Sequence, residues 1–170
     1  MTNLSAIITA APFAIVGGVA TRLYMPERMT LDLAILVESV NADRVYQELA
    51  AGGHRRIGAL SIAGSEWQLA DGTSLDVLEM GDLWVTEAIA SPNYSPDGLP
   101  VIDLPYLVLM KLVASRSQDL ADISRMLGGA TKPQLNCVRA VVSQYLGSAQ
   151  DDLESLIVLG QLERTPVQNE

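Results

Sequence analysis

Cysteine and aromatic residues are scarce in this chain of 170 residues. The single cysteine, Cys137, excludes an internal disulfide and is typical of a reducing compartment. Because its context is apolar and helical, we expect Cys137 to be buried. Aromatic residues make up 5% of the chain, so we interpret Trp67 and Trp84 as packing residues rather than platforms for stacked bases. The sequence therefore excludes a disulfide-stabilised scaffold.

Basic residues and long apolar runs are scarce as well. Eleven Lys and Arg stand against 20 Asp and Glu, a formal net charge of −9, which disfavours binding of nucleic acid by charge alone. Apolar runs are interrupted at Asp103, Pro105 and Lys111, and the first twenty residues lack the basic start of a secretory signal. We therefore expect a cytoplasmic protein without a membrane-spanning segment.

Apolar residues, in contrast, make up 49% of the chain, which is ample for a folded core. Their periodicity predicts an α/β or α+β fold, with strands and a few helices in residues 1–100 and a helical region in residues 101–170. The predicted strands cover 13–16, 31–37, 57–62, 66–69 and 73–79, with a hairpin turn at 71–72. The predicted helices cover 3–10, 19–25, 42–51, 104–115, 118–127, 133–146 and 149–162, and a loop covers 91–98.

Two stretches carry residue types suited to phosphate and metal chemistry. Gly17-Gly18 follows an apolar strand, where glycine lets backbone N–H groups approach an anion or simply permits a tight turn. The strand over 31–37 places Asp32 and Ala34 on one face, so that one face packs and the other can display chemistry. A carboxylate in an apolar strand needs a cation or an ion pair, for which Arg28 and Arg22 are candidates.

The segment from residue 15 to residue 34 resembles the nucleotidyltransferases of the DNA polymerase β superfamily. It is most similar to the small bacterial ones related to AbiEii type IV toxins and to the minimal nucleotidyltransferases. In that group Gly-Gly or Gly-Ser ends a strand, and Arg-x-Thr-x-Asp-x-Asp lies on the next. The matching residues here are Gly17, Gly18, Arg28, Thr30 and Asp32.

A helical stretch extends this resemblance. Lys111, Arg116, Asp119 and Asp122 are similar to the family's Lys-x-x-x-x-Arg-x-x-Asp-x-x-Asp segment. The helical spacing allows a polar stripe facing a cleft, although a lysine in an apolar helix can also extend its stem to solvent. The family also has a carboxylate on a later strand, and Asp76 fits that position, although an acidic surface face would explain it too.

The resemblance implies a polymerase-β-like core, a short mixed sheet backed by helices, with the C-terminal helical region packed on it. It also implies a metal-dependent transfer of a nucleoside monophosphate. Asp32 and Asp76 would hold Mg²⁺ and act as the catalytic carboxylates. The nucleoside triphosphate would be contacted by Gly17, Gly18, Arg28, Thr30, Lys111 and Arg116. The acceptor would be RNA or protein, and a second copy of the chain or an antitoxin-like protein would be the partner.

Position 34 departs from the family pattern. Ala34 stands where the family has its second metal-binding aspartate, and a methyl group cannot ligate a cation. One hypothesis is therefore a nucleotidyltransferase whose activity is weakened or lost, with a single weakly held Mg²⁺. The alternative is a catalytically inactive pseudoenzyme of this fold that binds a nucleotide or a partner protein, as in toxin–antitoxin systems. Whether the chain is an enzyme depends on which hypothesis holds.

Overall fold

A computed structural model describes residues 3–30 and 32–164 of the chain. The strands are β1 (Ala14–Val16), β2 (Leu33–Glu38), β3 (Arg55–Ala59), β4 (Gly64–Gln68), β5 (Ser74–Met80), β6 (Asn93–Tyr94) and β7 (Pro100–Val101). The first helices are α1 (Leu4–Ile7), α2 (Gly17–Tyr24), α3 (Ala42–Ala51) and α4 (Leu83–Ala90). The later helices are α5 (Leu104–Ala114), α6 (Ser117–Gly128), α7 (Lys132–Tyr145) and α8 (Gln150–Arg164).

The seven strands of the described residues form one mixed sheet in the order β3-β4-β5-β2-β1-β7-β6. The pairs β2–β5 and β1–β7 are parallel, and the other neighbours are antiparallel. The hairpin between β4 and β5 turns at Asp71-Gly72, where Gly72 has φ +88° and its N–H donates to the Leu69 carbonyl. The mixed sheet and the hairpin confirm the predicted α/β class.

Strand β2 differs from its prediction in two ways. It begins at Leu33, so Asp32 precedes the strand, and residue 31 lies outside the described residues. Every residue from Leu33 to Val37 is buried, so the expectation of one open face is wrong. The physical reason is its place between β1 and β5 in the middle of the sheet, where side chains of both neighbouring strands flank its own.

The predicted helices after residue 103 are confirmed to within two residues at each end. Helix α4 was not predicted, and it follows from apolar residues that face the core at helical spacing, Val85, Ala88 and Ile89. The loop predicted over 91–98 contains the short strand β6. Trp67 and Trp84 are buried, which confirms their packing role.

Cys137 is exposed, which corrects the expectation that it is buried. The buried residues of α7 are Leu135, Val138 and Val142, and they define one face of the helix. Position 137 falls off that face because successive helical residues are about 100° apart around the axis. Within the described residues, no helix has the length and apolarity needed to cross a membrane.

Contacts divide the chain into two compact units. The sheet unit consists of the segment ending at Ala20 together with Met29–Asp103. The helical unit consists of Thr21–Arg28 and the segment that begins at Leu104. The two units are thus interleaved along the sequence. Their assignment to separate domains, divided near residue 100, stays a prediction.

Candidate functional site

Gly17 and Gly18 lie where β1 passes directly into α2. Gly17 has φ +67°, a left-handed conformation that disfavours other residues. A Cβ atom built on Gly18 would lie 2.6 Å from Cγ2 of Thr30, closer than side chains approach one another. A Cβ atom built on Gly17 would lie 3.6 Å from Cβ of Ala34. Gly18 therefore lets the start of the helix approach Thr30, and Gly17 provides the turn from strand to helix.

Thr30 and Asp32 are joined by two local hydrogen bonds. The Thr30 hydroxyl donates to Oδ2 of Asp32 at 3.3 Å, and the Asp32 N–H donates to the same hydroxyl oxygen at 3.2 Å. Short side-chain to backbone bonds of this kind compete with strand pairing, which explains why β2 begins only after Asp32. The carboxylate of Asp32 is exposed.

The sheet register places Ala34 and Asp76 side by side. Across the sheet, Val16 of β1 pairs with Ala34 of β2, and Ala34 pairs with Asp76 of β5. Asp76 in turn pairs with Glu66 of β4, which pairs with Gly58 of β3. Directly paired residues project from the same face of a sheet. Position 34, where the resemblance implies a second aspartate, is therefore the immediate neighbour of Asp76.

Asp76 experiences repulsion from two other carboxylates. Its partial burial raises its pKa above the usual range, and the negative charges of Glu66 and Asp32 raise the pKa further. Glu66 also accepts a hydrogen bond of 3.3 Å from the Ser74 hydroxyl. We call Asp32, Asp76 and Glu66 the carboxylate row. A cation placed beside the row would relieve the repulsion.

The fit of Mg²⁺ to this row follows from its donor atoms. In the part of the chain that the structure describes, no three His, Cys, Asp or Glu side chains are placed to hold a metal ion together. Mg²⁺ is commonly held by one or two carboxylates, with water and substrate phosphates as its remaining ligands. Asp32 and Asp76 suit that kind of site and do not suit a cage made of protein ligands alone.

Glu66 is the member of the row that the sequence did not indicate. Its position beside Asp76 depends on the register between β4 and β5, which is set by the hairpin at residues 71–72. An alternating pattern in Glu66, Trp67 and Gln68 was the available signal, because it puts Glu66 on the face opposite the buried Trp67. That pattern does not identify Asp76 as the residue with which Glu66 pairs on the neighbouring strand.

The remaining candidates lie in the helical unit and form a cluster of alternating charges. Lys111 is 7% exposed, and its Nζ lies 2.8 Å from Oδ2 of Asp122 and 3.3 Å from Oδ1 of Asp119. Arg116 donates to Asp119 through Nε at 2.6 Å and through Nη2 at 3.3 Å. Nε of Arg28 lies 3.4 Å from Oδ1 of Asp122. We call these five residues the Lys111 cluster.

Asp119 remains ionised within the Lys111 cluster. Burial acts to raise its pKa, but the hydrogen bond from Arg116 and the charge of Lys111 outweigh burial and hold the pKa below the usual range. The structure thus groups the candidates into two sets. Gly17, Gly18, Thr30, Asp32 and Asp76 belong to the sheet unit, whereas Arg28, Lys111 and Arg116 belong to the helical unit.

No protein-family model matches the sequence, and no curated protein is similar to it in sequence. Among solved structures, the antibiotic-resistance factor ANT(2'')-Ia in solution is similar at a TM-score of 0.47 and 14% identity, over 90% of this chain and 83% of that one. The crystal structure of ANT(2'')-Ia in complex with adenylyl-2''-tobramycin is similar at a TM-score of 0.48 and 12% identity, over 91% of this chain and 90% of that one. The complex structure of CCA-adding enzyme with CTP is similar at a TM-score of 0.38 and 14% identity, over 86% of this chain and 42% of that one.

Proposed function

We propose that the sheet unit binds a nucleoside triphosphate with Mg²⁺ and that the protein is a nucleotidyltransferase-like protein. In this proposal Asp32 and Asp76 hold the cation, and Gly17, Gly18 and Thr30 lie beside the phosphates. The activity is transfer of a nucleoside monophosphate to an RNA or protein acceptor, weakened by Ala34. The observation that carries the proposal is the register that pairs Ala34 with Asp76 while Gly17 lies against Ala34.

The chain's own residues support the binding of a charged ligand. Helix α2 begins at Gly17, and the N–H groups at the start of a helix favour an anion such as a phosphate. Asp76 is destabilised by its acidic neighbours, and a divalent cation would lower that repulsion. Mg²⁺, when bound, supplies positive charge against the phosphates of the nucleotide. Asp32, fixed through Thr30 next to Gly18, would keep a carboxylate near that charge.

Ala34 favours a second candidate function, a catalytically inactive protein that binds a nucleotide or a partner protein. A site with two carboxylates can retain one cation, whereas transfer by two cations requires ligands for both. In this candidate function, Ala34, which pairs with Asp76, stands at the position where the resemblance implies a second metal-binding aspartate. In this alternative, a second copy of the chain or an antitoxin-like protein is the partner.

Calorimetric titration with ATP and GTP, with and without Mg²⁺, tests the binding step. We expect Mg²⁺-dependent binding that Asp32→Asn weakens by about tenfold or more, because a charged ligand group is lost. Asp43→Asn is the matched control, since it removes an exposed carboxylate from the first turn of α3 in the same unit. Failure of the folded wild-type protein to bind either nucleotide would contradict both candidate functions that use a nucleotide.

Transfer of label from α-labelled ATP or GTP separates the two candidates. The acceptors offered are a mixed RNA pool and the protein itself, and the wild type is compared with Asp32→Asn. Label incorporated by the wild type and lost in the variant supports a weakened transferase. Mg²⁺-dependent binding without incorporation by either protein supports the inactive binding module.

A further inference from the structure

We infer that the outer edge of β3 is a docking site for an extended, acidic segment of a partner protein, which adds to the sheet as a further strand. The inference concerns protein binding and goes beyond the proposed nucleotide site. Three observations carry it: the open edge of β3, two arginines that lack carboxylate partners, and the way in which those arginines are held.

Strand β3 is the last strand at one end of the sheet. It pairs with β4, and among the described residues no strand pairs with its other edge. All five of its residues are exposed or half-buried. The main-chain N–H and C=O groups on such an edge can pair with another extended chain. Strand β3 therefore offers a row of hydrogen-bonding groups about 17 Å long.

The alternation of pairs along β3 and β4 shows where these groups point. The N–H of Leu60 donates to the Gly64 carbonyl at 3.2 Å, so these two residues form a hydrogen-bonded pair. In an antiparallel ladder, such pairs alternate with pairs that exchange no hydrogen bond. The next pair is Ala59 with Ser65. The N–H and C=O of Ala59 therefore point away from β4, toward the open edge.

The edge strand carries positive charge that the protein does not neutralise. Arg55 and Arg56 are adjacent and exposed, and within the described part of the chain neither forms a salt bridge. The chain as a whole has a net charge of −9, which opposes attraction of RNA. A second copy of β3 would bring four arginines together. Charge complementarity therefore favours a protein segment with carboxylates.

The two arginines lie back over the sheet unit and leave the edge accessible. Charged side chains on an edge strand usually hinder pairing. Here Nη2 of Arg55 donates to Oε1 of Gln68 on β4 at 2.9 Å, on the inner side of the strand. Cζ of Arg56 lies 5.6 Å from the centroid of the Tyr46 ring on α3. That ring stacks on Trp67, with the centroids 5.8 Å apart. Both guanidinium groups are thus held in place beside an open edge.

The start of β3 is anchored on two sides. The N–H of His54 donates to the Leu49 carbonyl at the end of α3, at 3.0 Å. Its Nδ1 accepts a hydrogen bond of 3.0 Å from the Ala70 N–H, just after β4. An edge that is already ordered loses little conformational entropy when a partner binds.

The pattern of side chains defines the segment that fits. Successive strand residues point to opposite faces, so Arg55 and Arg56 together require two adjacent acidic residues. Ile57 is 46% exposed and adds apolar surface to the edge strand. Valine and threonine suit both this surface and the extended conformation. The expected partner segment is therefore β-branched, with an acidic pair at its centre.

Fluorescence anisotropy with a labelled eight-residue peptide tests the inference on the full chain. The peptide consists of valine and threonine with two adjacent glutamates at its centre, and we expect the wild type to bind it. Changing both Arg55→Gln and Arg56→Gln should weaken binding by about tenfold, because two ion pairs are lost. Arg44→Gln is the matched control, since it removes an exposed arginine from α3 in the same unit, and it should change affinity by less than about twofold.

Hydrogen exchange at the Ala59 amide distinguishes strand addition from attraction by charge alone. Saturating peptide should slow this exchange by about tenfold or more, because the N–H then donates to the peptide. Ala59→Pro removes the outward donor without removing a bond to β4, and it should weaken binding by about tenfold or more. If Ala59→Pro does not fold, a peptide with N-methyl groups on its four central residues takes its place, because it keeps the charges and lacks the donors.

The inference is overturned if the folded wild type does not bind the peptide, or if the double arginine change has no more effect than Arg44→Gln. Equal affinity for the N-methylated peptide, or an unprotected Ala59 amide in the complex, would show attraction by charge without strand addition and would contradict it as well. Tighter binding of an RNA oligomer, or of a peptide with lysines in place of the glutamates, would do the same. No step uses a nucleotide, so failure of the proposed function leaves these outcomes unchanged.

Discussion

The carboxylate row and the Lys111 cluster both gather several charged side chains, but they arrange the signs in opposite ways. In the Lys111 cluster, acidic and basic groups alternate, and the carboxylates of Asp119 and Asp122 are buried between cations. In the carboxylate row, Glu66 and Asp76 are directly paired across two strands and carry the same charge. In the Lys111 cluster, the charges of the carboxylates are neutralised by neighbouring cations of the protein itself. The carboxylate row has no such neutralisation among its own members, so an added cation would stabilise it.

The largest effect should come from breaking the balanced cluster. Lys111→Met leaves two buried carboxylates without their shared ammonium group, and we expect a loss of about 3–5 kcal/mol in the free energy of unfolding. Chemical denaturation measures it. Arg139→Gln breaks an exposed ion pair in the same unit and should cost about 1 kcal/mol or less. If both variants lost only about 1 kcal/mol or less in the free energy of unfolding, the buried carboxylates would not depend on the charge of Lys111.

A smaller loss should follow from closing the space beside Gly18, which leaves every charge in place. Gly18→Ala puts a methyl group against Thr30, and we expect a cost of about 1–3 kcal/mol from overpacking. Thermal unfolding measures it, and Gly58→Ala is the control, because a Cβ atom there meets nothing within 4 Å. Gly18→Ala should also weaken nucleotide binding. A variant with normal stability and normal binding would show that this close approach is unimportant.

Relieving the repulsion in the carboxylate row should raise stability. Asp76→Asn and Glu66→Gln each remove one of two like charges that face each other, and we expect gains of up to about 1 kcal/mol in the free energy of unfolding. Asp76→Asn should at the same time abolish Mg²⁺-dependent nucleotide binding, a gain of stability at the expense of function. A destabilised Asp76→Asn variant would mean that the ionised carboxylate is a structural group.

The smallest effect is in the pH dependence, which should have opposite signs in the two regions. The pKa of Asp119 is lowered by its basic partners despite burial, so its contribution is present above the unfolded value of about 3.9 and is lost as pH falls through the folded pKa. The pKa of Asp76 is raised, so stability is lost as pH rises through its folded pKa. The cost of Asp119→Asn should therefore shrink in strong acid, and the gain from Asp76→Asn should disappear below the unfolded pKa. Relative to the wild type, acid should thus raise the stability of Asp119→Asn and lower the stability of Asp76→Asn. Denaturation series at several pH values would contradict this if acid shifted both relative stabilities in the same direction.

Sequence patterns were informative where they depended on local spacing. The helices after residue 103 and the turn at Asp71-Gly72 followed from apolar periodicity and turn chemistry, and they are confirmed. The pairing of Asp76 with Ala34 on one side and Glu66 on the other depends on strand register, which joins residues far apart in sequence. The pattern around Lys111 fitted both an open polar stripe and a solvated lysine stem. Its burial depends on the turn at Ser115, a backbone conformation that the residue type does not predict.

The most direct test of the proposed cation site restores the residue that the family pattern would place at position 34. We predict that Ala34→Asp increases the Mg²⁺-dependent affinity for ATP by about tenfold, because a third carboxylate beside Asp76 can ligate the cation. Adding Asp76→Asn to the same protein should remove the gain. An Ala34→Asp variant that folds and binds ATP with unchanged affinity and Mg²⁺ dependence would contradict a cation site at this place in the sheet.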